Sequence, residues 1–99
     1  MNAIILAAAE DDLEQAFDYY FAIRRELALD FIDEYRRGVE LMLEHPNAWQ
    51  LLDETYRRYR LHRFPYGIVY RVDRAANQII IVAVMHLSRA PGAWRGRNR

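Results

Sequence analysis

Two histidines among many arginines are the residues of this sequence with the most chemical capability. His62 and His86 occur near Arg58, Arg60, Arg63 and Arg89. An imidazole titrates near neutral pH and can carry a proton, while guanidinium groups grip an anionic oxygen with two hydrogen bonds. In one place, these types outline a metal-independent site for cleaving a phosphodiester, with Arg60, Arg63, His86 and Arg89 as the catalytic set. The same residues also fit a histidine at a strand end, bonded to backbone on a basic solvated face. The spacing leaves both readings open. The third histidine, His45, precedes Pro46 and fits a helix end, where an imidazole favours the negative end of the dipole. The three are far apart, HExxH is absent and there is no cysteine, so no metal and no cofactor is expected.

Composition removes other chemistries. All 14 basic residues are arginine and lysine is absent. A P-loop lysine, a Schiff base and a lysine general base are thereby excluded. Ser88 is the one serine and Thr55 the one threonine, and nothing like a nucleophile elbow surrounds Ser88. The lack of cysteine excludes a disulfide scaffold and fits a reducing cytoplasm. The longest apolar stretches, residues 3–9 and 79–85, are far short of the ~20 residues of a membrane span. No basic start precedes an apolar run of signal-peptide length. Neither a membrane partner nor export is expected.

The 99 residues suit one domain, 1–99. With 53% apolar and 13% aromatic residues, a real core can form. The charges, balanced overall, are segregated. Residues 1–54 hold 13 acids and 4 arginines, a net of −9, and residues 55–99 hold 1 acid and 10 arginines, a net of +9. Such a chain either presents a basic face to a partner or folds an acidic layer onto a basic one.

The elements follow from periodicity. Residues 3–6 are a short β-branched run, a strand. Leu13, Ala16, Phe17 and Tyr20 recur at helical spacing, preceded by Glu10, Asp11 and Asp12, and predict a helix over 8–24. Ala28, Phe31, Tyr35, Val39 and Met42 form a second stripe, predicting a helix over 27–45 that Pro46 ends. From about Thr55 the period becomes two. Strands are expected over 56–64, 66–72 and 79–85, with a hairpin loop at 73–77. The last strand is almost continuously apolar, as a strand covered on both faces would be. The order β-α-α-β-β-β predicts a two-layer α+β domain, an antiparallel sheet packed against a helical hairpin. Leu13, Phe17, Tyr20, Phe31, Tyr35, Ile68, Tyr70, Ile79, Ile81 and Ala83 are the expected core. Residues 88–99 form a basic C-terminal tail around Trp94 that must fold back or meet a partner. With its glycines and Pro91, it is expected to lie outside the fold.

The run Arg63-Phe64-Pro65-Tyr66-Gly67-Ile68-Val69-Tyr70-Arg71-Val72 resembles the central strand motif of the RelE/ParE toxin superfamily. Residues 83–95 resemble its ending, an Ala-Val pair followed by His86, Arg89, Pro91 and Trp94. Asp12-Leu13 with Ala16, the Tyr19-Tyr20 pair and Phe31-Ile32-Asp33-Glu34 also fit. The likeness covers nearly the whole chain and favours the ParE-like plasmid-stabilisation branch.

This resemblance implies a type II toxin–antitoxin toxin, held inactive by a cognate antitoxin that wraps it with a partly disordered segment. ParE toxins poison DNA gyrase through protein–protein binding, with no catalytic residue, and RelE toxins cut mRNA on the ribosome. The nucleases carry a catalytic arginine after the first tyrosine of the strand matched by residues 66–70. Here that position is Gly67. They also use lysines, which this chain lacks, and a late tyrosine whose nearest counterpart is Trp94. A gyrase inhibitor is therefore expected, with a ribosome-dependent mRNA endonuclease as the alternative. Under the first reading Arg89, Trp94, Arg95 and Arg97 bind the target, and Arg58, Arg60 and Arg71 bind the antitoxin. Sequence-specific DNA binding by the toxin alone is not expected.

Overall fold

The computed structural model describes residues 1–90 and 92–97. A short strand, β1 (Asn2–Ile5), leads into α1 (Ala7–Ile23) and α2 (Arg25–Glu44). Only Arg24 separates the helices. Its backbone is extended, and its N–H still bonds to the Tyr20 carbonyl, so α1 ends and α2 begins with almost no loop. Four strands follow: β2 (Gln50–Leu51), β3 (Tyr56–Arg60), β4 (Tyr66–Asp73) and β5 (Gln78–His86).

The sheet order is β1-β5-β4-β3-β2. β2 to β5 form the expected antiparallel meander, but β1 pairs with β5 in parallel, making the sheet mixed. Direction explains this. The helical hairpin returns the chain to the end of the sheet it left, so β2 runs opposite to β1. Three antiparallel reversals later, β5 points the same way as β1. Two other boundaries differ from the sequence reading. The strand expected over 56–64 ends at Arg60, because residues 61–65 turn into β4. There is also a two-residue β2 that no periodicity announces.

One face of the sheet carries the hairpin. Phe31, Met42, Tyr59, Ile68, Tyr70, Ile79 and Ile81 are buried there, with Leu13, Phe17 and Tyr35 packed against them. Phe31 sits among Tyr20, Phe64 and Tyr66, with ring centroids 5.3, 5.3 and 5.4 Å away.

The other face holds a second core. A bulge between Val69 and Tyr70 leaves Val82 as an extra residue on β5, so Val82 and Ala83 both join this layer with Val69 and Ile80. Trp94 covers them and is only 6% exposed. This corrects the expectation that the C-terminal segment lies outside the fold. A strand apolar on both faces needs cover on both; the helices supply one cover, and residues 92–97 supply the other. Pro91 and Arg99, which belong to the tail expected at 88–99, lie outside the described residues.

Candidate functional site

Strand alternation gathers the arginines expected to bind a partner. Tyr56 belongs to the second core, so Arg58 and Arg60, two and four residues on, share its face of β3. Arg71 sits opposite Tyr56 in the β3–β4 register and joins them there. Arg57, between them, points to the helical side, where its guanidinium donates to the Trp49 carbonyl at 2.8 Å. Arg60 is exposed, and Arg58 and Arg71 are half-buried.

Arg58 is held in place. Its guanidinium donates to Gln50 Oε1 at 3.2 Å, and its stem lies across Gly67. A Cβ at Gly67 would come within 2.7 Å of the Arg58 Cδ. Gly67 thus makes room for Arg58 as well as lacking the side chain that the nuclease motif supplies there.

The C-terminal segment crosses this same face. The Arg95 guanidinium lies over the Trp94 ring, 4.5 Å from its centroid, and pairs with Asp53 at 2.7 Å. Asp53 also accepts the backbone N–H groups of Tyr56 and Thr55. The Tyr56 N–H, the Arg95 side chain and the Thr55 N–H together hold its carboxyl at about 2. Arg97 donates to both Asp12 carboxylate oxygens, at 2.6 and 3.2 Å, and to the Val82 carbonyl at 3.0 Å. Asp12 also accepts the Val84 N–H at 3.1 Å. The sequence did not announce these pairings, because each joins residues from distant elements. The opposite charges of the two halves were the available signal, and Asp12–Arg97 and Asp53–Arg95 are places where the halves meet. Arg89 is exposed beside the same segment.

The residues proposed for nucleolytic chemistry are divided between two places. Arg63 lies on the α2 side, where it pairs with Asp30 at 3.3 Å. There the Glu34 carboxylate accepts the N–H groups of His62 and Arg63 and fixes the turn. A cavity of about 390 Å³ opens at this point, lined by Asp30, Glu34, Arg37, Tyr59, His62 and Arg63. His86 ends β5 elsewhere. Its Nδ1 accepts the Ser88 N–H at 3.1 Å and lies 2.7 Å from the Ser88 hydroxyl oxygen. Its ring meets Tyr66 edge-on at 5.2 Å, in a cleft of about 200 Å³ that Tyr19 and Arg89 also line. Burial, with Tyr19 nearby, pushes the Tyr66 hydroxyl above its ordinary value. His62 and His86 therefore line separate cavities. Among the described residues no group of three or more His, Asp or Glu side chains is placed to hold a metal.

The sequence matches, over residues 3–91, the family described as "ParE toxin of type II toxin-antitoxin system, parDE". The chain belongs to the ParE toxin family. The solved structure described as "Chromosomal ParDE TA system from P. aeruginosa" shares the fold, with a TM-score of 0.73 at 21% identity. That alignment covers 87% of this chain and 95% of the other. No curated protein matches the sequence. As a ParE family member the chain is the toxin of a type II system, whose counterpart is a cognate antitoxin. No helix among the described residues is long and apolar enough to cross a membrane.

Proposed function

We propose that this ParE-family toxin inhibits DNA gyrase in the cytoplasm by protein–protein binding, as a single domain, and is neutralised when its antitoxin covers the arginine face. The observation that carries this reading is Gly67 packed beneath Arg58. The position that would supply a nuclease arginine is instead committed to seating an arginine on the partner-facing side of the sheet. Arg63 and His86 line separate cavities, so that pair does not meet at one phosphate; Arg89, which shares the His86 cleft, is the arginine left to the nuclease reading.

Within this reading, Arg58, Arg60 and Arg71 receive acidic side chains of the antitoxin. Arg89 and Arg95 face the target. Trp94 is buried, so it acts by fixing Arg95 from below, and Arg97, paired with Asp12, reaches the target only once that pair opens. Arginine and tryptophan are the types most often found as interface hot spots.

Purified toxin incubated with gyrase and supercoiled plasmid, beside translating ribosomes with mRNA, tests the proposal. Gyrase poisoning with intact mRNA is the expected result. Ribosome-dependent cleavage with gyrase unaffected would replace it with the RelE-like reading, in which Arg60, Arg63, His86 and Arg89 carry the chemistry.

A further inference from the structure

We propose that the end of the C-terminal segment is a latch: Arg97 closes onto Asp12 in the resting toxin, turning about Gly96 while Trp94 stays in place.

Three observations define the parts. Trp94 is the fixed point, buried on Val69, Ile80, Val82 and Ala83 with Tyr56 against its edge. Gly96 is the hinge. Its φ of 86° lies in the region that favours glycine, and a Cβ there would meet no atom within 4 Å. Turning at this residue gives up one bond, from the Arg97 N–H to the Trp94 carbonyl at 3.4 Å, and glycine carries the φ change at no side-chain cost. Arg97 is the closing end. Its guanidinium bonds to a charged side chain and one backbone carbonyl, and its N–H bonds to the Trp94 carbonyl at 3.4 Å.

The seat for Arg97 is formed by the strand order. β1 stops at Ile5, opposite Ile81. Beyond that point the β1 side of β5 has no strand beside it. The Asp12 carboxylate takes the Val84 N–H, and the Arg97 guanidinium takes the Val82 carbonyl. The two side chains fill the place of the missing strand and bind each other with two hydrogen bonds. Their side chains are 16% and 23% exposed, so the pair is partly shielded from salt but open to water along one side. A fork of this type is strong yet exchangeable.

Release of the latch would free the Arg97 guanidinium while leaving Trp94 and Arg95 seated. Under the proposed function, an open end adds a third cation, beside Arg89 and Arg95, to the target-facing surface. That step rests on the gyrase reading; the latch itself does not.

The experiment uses the full chain with Asp12→Asn. The substitution removes the negative charge but keeps an oxygen that can accept the Val84 N–H. Backbone order parameters at Gly96 and Arg97 should fall from about 0.85 to below about 0.6. Trp94 emission and the order of residues 92–95 should not change. Arg97→Lys, which keeps the charge and loses the fork, should give the same pattern and stands in if Asp12→Asn fails to fold. Unchanged order at Gly96 and Arg97 in the variant that folds would overturn the latch. Simultaneous loosening of Trp94 would overturn the hinge and make the segment one rigid piece. Gyrase inhibition measured alongside separates the two ideas. The latch stands on the order parameters alone. Stronger inhibition by Asp12→Asn, with weaker inhibition by Arg97→Gln, is expected if the gyrase reading also holds.

Discussion

Trp94 packs edge-on against Tyr56, with ring centroids 4.6 Å apart and planes at 62°. This contact ties the C-terminal segment to the first residue of β3 and closes the second core. Trp94→Ala should therefore cost about 3–5 kcal/mol, as loss of a buried tryptophan does. A chain truncated after Ala90 should lose at least as much, since it uncovers Val69, Ile80 and Val82 together. Urea melts of the three proteins check this. A truncated chain as stable as the full one would return the segment to a purely recognition role.

Phe31 anchors the opposite layer. It is fully buried, and three aromatic rings surround it from α1, the 61–65 turn and β4. Phe31→Ala should cost about 3–5 kcal/mol, a large part of a small domain's stability. A loss under about 1 kcal/mol in denaturant melts would contradict this packing.

These two residues show how much the sequence disclosed. Phe31 was legible because the stripe Ala28-Phe31-Tyr35 repeats at helical spacing and needs no knowledge of what lies opposite. The apolar run of β5 likewise declared a central strand. Trp94 was legible as a residue that folds back or meets a partner, but its place was not, because glycines and arginines surround it and its partners lie on β3, β4 and β5. The apolar second face of β5 was the one clue that a cover existed. β1 is similar: its residues declare a strand, but pairing with β5 in parallel depends on chain direction through five later elements. That Arg58, Arg60 and Arg71 share a face of the sheet follows from strand alternation and register. The ion pairs of the candidate site were not legible, since Asp12 meets Arg97, and Asp53 meets Arg95, only after folding.

Asp53 makes one of these pairs dependent on pH. Its carboxyl ordinarily titrates at 3.8 and is held at about 2 in the folded chain. A depressed carboxylate stabilises the fold above the unfolded value, and that contribution disappears as pH falls through the folded value. The stability difference between the natural chain and Asp53→Asn should be constant above about pH 5. It should shrink steadily between about pH 4 and pH 2. Thermal melts across that range give the answer; a difference that stays flat down to pH 2 would mean Asp53 is not the group holding Arg95 and the β3 turn.

The arginine face should govern how fast the antitoxin finds the toxin. Exposed charges steer association and are screened over a Debye length of about 8 Å at physiological salt. Stopped-flow association rates with the antitoxin should fall between low and high salt, and Arg60→Glu should lower the low-salt rate further. Dissociation should change less. Rates insensitive to both changes would show that the net charge of residues 55–99 is neutralised within the toxin, as it already is at Arg95 and Arg97.

A substitution at Gly67 tests the two toxin chemistries against each other. A methyl group there would approach the Arg58 Cδ to 2.7 Å and its Cγ to 2.9 Å, so the Arg58 stem must lift from the sheet. Lifting breaks the bond from Arg58 to Gln50 and disturbs the arginines proposed to bind the antitoxin. Gly67→Ala should cost about 1–3 kcal/mol, the usual range for overpacking, and should weaken antitoxin binding more than Arg60→Ala does. Gly67→Arg restores the side chain that the nuclease motif carries at this place. It should displace Arg58 in the same way and still leave mRNA intact on translating ribosomes. The reason is geometric: Arg63 remains paired with Asp30 on the α2 side, and His86 remains bonded to Ser88 at the end of β5. An added guanidinium at position 67 does not bring Arg63 to His86, and Arg89 already lines the His86 cleft without making it a nuclease under the proposed reading. Cleavage by Gly67→Arg would show that the ParE scaffold needs only that residue to act as a nuclease, and would overturn the protein-binding mechanism proposed for it.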